Sequence, residues 1–204
     1  MILKLTYQIR FPLGAEFALD PKFIFIKNIY SSIKNILCNN QERKCKTCQK
    51  SSTCIYHLLS GKDFEYYPAI VINRKFIEQR KLTKSDELTL NFYLIGVASQ
   101  YVGFIQNYFD VTKTLEKQYF QKFLTEQVYL DENEYYDGNI TFSTPIRSIE
   151  DIKQMIKYYN DTYNTNIKIP IVEVETPNVP KMIDYNKYII NGHLLKYDGY
   201  KYKL

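Results

Sequence analysis

The sequence predicts an α+β fold of two ferredoxin-like (RRM-like) units in tandem, the second incomplete and the first carrying a four-cysteine insertion. Three observations lead there. Strand-like and helix-like periodicities follow one another as β-α-β-β-α-β over about residues 1–130, the ferredoxin-like order. A second β-α-β start follows Asp137-Gly138. All four cysteines fall between Cys38 and Cys54, directly after the first helix. The boundaries drawn from these patterns are 1–131, with the cysteine-rich insertion at 38–62, and 135–204.

Each element has a local reason. Leu3, Leu5, Tyr7, Ile9 and Phe11 alternate with Lys4, Thr6, Gln8 and Arg10, a strand with one core face and one polar face. Pro12 and Gly14 end it. Asp20-Pro21 supplies an N-cap and a proline at the first helical position, and Ile26, Ile29, Tyr30, Ile33, Ile36 and Leu37 recur at helical spacing, so a helix is expected over 21–37. Tyr67–Ile72 and Leu88–Ile95 read as strands, joined by a charged turn or hairpin over 73–87. Ser99 is the expected cap of a helix carrying Tyr101, Phe104, Ile105 and Tyr108. Residues 117–130 fit either period, and Thr125, Val128 and Tyr129 favour strand. In the second unit, Ile140 and Phe142 mark a short strand ending at Thr144-Pro145. Ser148-x-x-Asp151 opens a helix with Ile149, Ile152, Met155, Ile156 and Tyr159. A strand over 167–174 and one final strand in the aromatic run Tyr185–Leu204 complete it.

Composition narrows the function classes. The 204 residues are 45% hydrophobic and 24% charged, enough apolar material for one large or two small cores. A net charge of +5 permits a polyanionic partner without demanding one. No signal peptide opens the chain, and its apolar runs fall short of the ~18–20 residues of a membrane span, so a cytoplasmic protein without a membrane partner is expected. There is neither a GxxxxGKS/T phosphate loop nor an HExxH metalloprotease pair.

The spacing Cys38-x6-Cys45-x2-Cys48-x5-Cys54 has the elements of a tetrahedral thiolate site. In a reducing compartment, clustered cysteines point to metal ligation ahead of disulfides. Structural Zn2+ on Cys38, Cys45, Cys48 and Cys54 is the expectation, with an iron–sulfur cluster or no metal as alternatives. Lys44, Lys46 and Lys50 would favour the thiolates. His57, three residues after Cys54, is a possible substitute ligand or a packed or exposed histidine on the next helix. Four thiolates leave no open position, so such a zinc would pin a loop and perform no chemistry.

Several short motifs stand in a common order: an amphipathic helix leading into a cysteine, a CxxC, Cys54-Ile55-Tyr56, the proline-bearing strand Tyr67-Pro68-Ala69-Ile70-Val71, a long strand from Phe92 to Ala98 followed by a helix, and Ile140-Thr141-Phe142-Ser143-Thr144-Pro145-Ile146-Arg147. Over about 1–160 this pattern resembles the CRISPR precursor-RNA-processing endoribonucleases, the sixth Cas family of the RAMP superfamily. The resemblance implies tandem ferredoxin-like domains that bind CRISPR repeat RNA and cut it without a metal ion, leaving a 2′,3′-cyclic phosphate. Two features depart from it. Residues 110–118 contain no glycine where the family has a glycine-rich stretch, and the chain is short of the family's C-terminal elements. The departures point to a shortened member, a chain completed by a partner that supplies those elements, or a non-cutting RNA-binding relative.

The family often uses a tyrosine near its first helix, a histidine and a lysine. Tyr30, His57 and Lys62 match in order and type. The other histidine, His193, sits in Asn191-Gly192-His193, a natural hairpin turn. Tyr30 lies on the apolar stripe of its helix, where burial is the ordinary fate, and Lys62 follows Gly61 as a loop charge would. A different class is open as well: a non-catalytic RNA-binding or assembly subunit working with other Cas proteins. Its phosphate contacts would come from Arg43, Lys44, Lys46, Lys50 and Lys62, extended by Arg10 and Lys4 on the first strand and by Arg74, Lys75, Arg80 and Lys81. A zinc-stabilised protein-interaction module is the third reading.

Overall fold

The computed structural model describes residues 1–38, 45, 47–72, 80–131, 149–168, 181–190 and 193–201. In chain order the elements are β1 (Ile2–Arg10), β2 (Ala15–Glu16), α1 (Pro21–Leu37), α2 (Ile55–Leu59), α3 (Gly61–Phe64), β3 (Ile70–Ile72), β4 (Lys81–Leu82), β5 (Glu87–Ile95), α4 (Val102–Val111), β6 (Thr114–Leu115), β7 (Gln118–Tyr119), β8 (Gln121–Leu130), α5 (Ile149–Tyr163), β9 (Lys181–Ile190) and β10 (His193–Lys201). The result is a mixed α+β fold with several antiparallel sheets.

The main sheet has four strands in the order β3-β5-β1-β8. Every neighbouring pair is antiparallel. The alternation of β1 works as its sequence predicts: Leu3, Leu5, Ile9 and Phe11 are fully buried, while Arg10 at the strand end is exposed. β1 pairs along its whole length with β5, from Ile2 opposite Ile95 to Arg10 opposite Glu87. On the other side β8 is an edge strand, and its register slips at Thr6/Tyr7.

Helix α1 covers the buried face. Its N-terminus forms as expected, with Asp20 accepting the Lys22 backbone N–H at 2.8 Å and Pro21 in the first turn. Phe25, Ile29 and Ile33 point inward and are fully buried, whereas Ile36, expected on the same stripe, is exposed. Around Phe25, Phe109 and Phe120 an aromatic cluster joins α1, α4 and the start of β8. Such edge-to-face contacts favour one arrangement over others of equal area.

Two expectations change, and the strand expected over 117–130 is borne out with a small hairpin before it. Ser99 does not cap the second main helix: its hydroxyl donates to the Gly96 carbonyl at 2.9 Å, inside a 3-10 turn over Gly96–Tyr101, and α4 begins after it. Segment 117–130 is β8 preceded by the β6–β7 hairpin, whose turn residues Glu116 and Lys117 have φ of 45° and 69° without any glycine. The final aromatic run is a two-stranded hairpin and not one strand, because β9 and β10 pair antiparallel across His193 and Ile190. The predicted strand at 140–142, the stretch Thr144–Arg147, the cap at Ser148, and most of the strand at 167–174 lie outside the described residues. Helix α5 forms where expected and buries Ile152, Ile156, Tyr159 and Tyr163. Tyr159 and Tyr163 enter the same core as β1 and α1. Among the described residues, no helix is long and apolar enough to cross a membrane.

Candidate functional site

The site is built where the chain leaves α1 and returns to the sheet at β3. From Cys45 onward the cysteine segment is wound by successive turns, with Cys48 N–H donating to the Cys45 carbonyl and Ser51 N–H to that of Cys48, both at 3.1 Å. A 3-10 turn over Ser51–Thr53 leads into α2. Cys38, Cys45, Cys48, Cys54, Tyr56 and His57 line a cavity of about 20 Å³. None of the four cysteines is in a disulfide.

The expectation of bound zinc is overturned. Among the described residues, no group of three or more His, Cys, Asp and Glu side chains is disposed to hold a metal ion. The disposition of Cys45 gives a physical reason. Its thiol is buried; burial first, then the Asp63 charge, pushes its pKa up to about 11, with Lys34 pulling the other way. A metal ligand is a thiolate, so ligation by Cys45 would have to displace the proton that burial holds on its sulfur. A labelling experiment follows. With iodoacetamide at pH 8, Cys45 will be alkylated at least about tenfold more slowly than the fastest of the other three thiols. Peptide mass spectrometry reads the four rates, and equal rates would contradict this account of Cys45.

Behind the cysteines runs a larger cleft of about 380 Å³, between α2, the α3 turn and α5. Its chemistry-bearing walls are Ser51, Ser52, His57, Lys62, Tyr158 and Thr162. His57 stands between the two cavities and lines both. Its Nδ1 is buried and has no hydrogen-bond partner among the described atoms. Lys62 is exposed, and its Nζ lies 4.6 Å from the centre of the Tyr66 ring. Tyr66 in turn stacks on Tyr158, with centroids 5.4 Å apart and planes 6° from parallel. The floor is fixed by α5, whose Tyr163 hydroxyl lies within donating distance of the carbonyls of Tyr67 (2.8 Å) and Leu58 (3.0 Å). Burial raises the pKa of that phenol well above its ordinary value.

Of the three residues expected to act together, two do meet: His57 and Lys62 share this cleft. Tyr30 does not join them. It is 2% exposed, its hydroxyl lies within donating distance of the carbonyls of Ile70 (2.8 Å) and Leu59 (3.1 Å), and it accepts the Ile70 N–H at 3.1 Å. Burial holds the phenol protonated. Tyr30 is therefore a buried tie between α1, α2 and β3, and its place among the catalytic residues is withdrawn.

Among the expected phosphate contacts, Lys50 is exposed at the head of the 3-10 turn. Arg10 is exposed, but it is paired in a short contact with Glu87 and stands over the Phe123 ring, so its charge is largely neutralised. Lys4 is similarly paired with Glu126 at 2.6 Å. Arg43, Lys44 and Lys46 lie outside the described residues, as do Arg74 and Lys75. The sequence reading missed Asp63, Lys34, Tyr158 and Thr162. Asp63 and Lys34 form a half-hidden ion pair at 3.2 Å, with side-chain exposures of 14% and 15%. An acid next to Gly61-Lys62 was the available signal for the first; nothing local marked the others.

The class these features define is an α+β protein with a cationic, aromatic cleft beside a thiol-lined pocket. Compared with known protein families, with curated proteins and with solved structures, the chain finds no match in any of the three.

Proposed function

We propose that the chain is a CRISPR-associated RNA-binding protein of tandem ferredoxin-like design that cuts repeat RNA without a metal ion. The observation carrying this reading is that His57 and Lys62, separated by a turn, line one cleft with the hydroxyls of Ser51, Ser52 and Thr162. Two further features support it. The strand order of the main sheet, β3-β5-β1-β8, with α1 and α4 in the connections, suits a ferredoxin-like first unit. The order of motifs resembles that of the precursor-RNA-processing family. In the proposed reaction His57 takes the proton of a ribose 2′-OH, the 2′-oxygen attacks the adjoining phosphorus, and the P–O5′ bond breaks. The products are a 2′,3′-cyclic phosphate and a 5′-hydroxyl, whose proton comes from solvent. The Lys62 ammonium meets the charge that builds on the non-bridging oxygens.

One observation favours a non-cutting RNA-binding or assembly subunit as the second reading: Tyr30, expected to act with His57 and Lys62, is committed to the backbone. A labelled repeat RNA incubated in EDTA separates the two. Specific cleavage by the wild type, reduced about 10²–10⁴-fold in His57→Ala, supports the nuclease. Binding without cleavage supports the assembly subunit, and failure to bind the RNA at all sinks both.

A further inference from the structure

We infer that Asp63 is a positioning residue, whose buried contacts hold a left-handed turn that sets the Lys62 ammonium in the cleft as the cation for a phosphodiester. The inference rests on the reading of the cleft as an RNA site. Four consecutive residues, Gly61, Lys62, Asp63 and Phe64, have φ of 60°, 58°, 58° and 67°. Only glycine visits this region freely, and L-residues do so singly, not in runs. Such a conformation persists only where its surroundings over-determine it.

The surroundings do so at every position but one. Gly61 cannot carry a side chain, since a Cβ there would sit 2.6 Å from the Tyr67 carbonyl oxygen. The Asp63 N–H donates to Ser60 Oγ at 2.9 Å, and its carboxylate accepts from the Tyr56 hydroxyl at 2.8 Å and from Lys34 Nζ at 3.2 Å. Phe64 packs edge-on against Tyr30 at 4.9 Å. The exception is Lys62, which points away from these anchors, over Tyr66 and into the wall of the cleft. The one side chain that the turn leaves free is thus a cation, beside a histidine.

The test uses the full chain and a fluorescein-labelled 2′-O-methyl oligouridine of about eight nucleotides, which resists 2′-OH cleavage, with binding followed across a salt series. Lys62→Ala is expected to lower the slope of log Kd against log salt by about 0.7, the value for one phosphate contact on a single strand. Asp63→Asn is expected to lower it equally although Lys62 is retained, and the double variant to add nothing more. Removing a negative charge would by itself tighten binding to a polyanion, so this loss is not a general charge effect. Should Asp63→Asn fail to fold, Ser60→Ala removes one anchor without altering charge and is expected to weaken binding about threefold to tenfold.

Wild-type slope and affinity in a folded Asp63→Asn or Ser60→Ala variant, additive effects in the double, or no binding by the wild type would overturn the inference. The expected binding pattern with no cleavage of repeat RNA would leave it standing while removing the nuclease reading. Wild-type cleavage that Asp63→Asn leaves unchanged would do the reverse.

Discussion

Gly96→Ala will lower the thermal unfolding midpoint by roughly 6–12 °C, the shift expected for about 3 kcal/mol in a chain of this size. Gly96 closes β5, has φ of +58° and donates its N–H to the Met1 carbonyl at 2.9 Å. An alanine Cβ there would meet the Tyr163 carbonyl oxygen at 1.8 Å and Thr165 Cγ2 at 2.8 Å. The backbone conformation alone costs an L-residue about 1–2 kcal/mol. The clash falls on backbone, which cannot rotate aside, so the C-terminal end of α5 must lift. That movement would break the Tyr163 hydroxyl bonds to Leu58 and Tyr67 and carry Tyr158 and Thr162 away from the cleft. Gly103 is the control: a Cβ there meets nothing within 4 Å, and in α4 alanine is the better helix former, so Gly103→Ala should hold or slightly raise the midpoint. Circular-dichroism melting of both variants checks this; a Gly96→Ala midpoint within 2 °C of wild type would mean that α5 does not dock there.

Elements whose signals are local were legible in the sequence. The strand β1 follows from alternation because one of its faces is buried against helices, and α1 follows from Asp20-Pro21 because capping involves only neighbouring residues. β8 was ambiguous for a physical reason. It is an edge strand with Phe123, Leu124, Val128 and Tyr129 all substantially exposed, so no burial pattern imposes a period. Ser99 misled because a serine before a helix has two partners within reach, and here the backward one, the Gly96 carbonyl, wins. The site was half legible. His57 and Lys62 are polar residues close together in the chain, whereas the role of Tyr30 depends on backbone groups 29 and 40 residues away. The left-handed turn had little besides Gly61 to announce it, since Lys and Phe disfavour positive φ and Asp visits it only occasionally. The thiols raised the opposite difficulty: their spacing suggested a metal, but spacing does not report that Cys45 is buried, with the Asp63 charge raising its pKa.

Lys34→Met will cost about 2–3 kcal/mol of stability, the range for removing one partner of a part-buried, charge-assisted contact. Lys34 is the one cation that reaches Asp63 by a short ion pair among the described residues, and its ammonium also lies 4.9 Å from the centre of the Tyr56 ring. Methionine keeps most of the side-chain volume, so the loss isolates the charge. It leaves the Asp63 carboxylate charged, with the Tyr56 hydroxyl as its side-chain donor among the described residues. Lys34→Met combined with Asp63→Asn removes both charges and should recover a substantial part of the loss, because the cost lies in the unpaired carboxylate and not in the missing attraction. The exposed pair Lys153–Glu150, at 3.6 Å with side-chain exposures of 49% and 62%, gives the contrast, and Lys153→Met should change stability by less than about 0.5 kcal/mol. Urea unfolding of wild type, Lys34→Met, Asp63→Asn and the double variant measures the cycle, with Lys153→Met as a fifth protein for the contrast. A single Lys34→Met variant within 1 kcal/mol of wild type, or a double variant as damaged as the single, would show that the pair is not what holds this corner. If the loss is as large as expected, the same corner that stabilises the join of α1, α2 and β3 also fixes the turn bearing Lys62, so that stability and the geometry of the cleft rest on one part-buried contact.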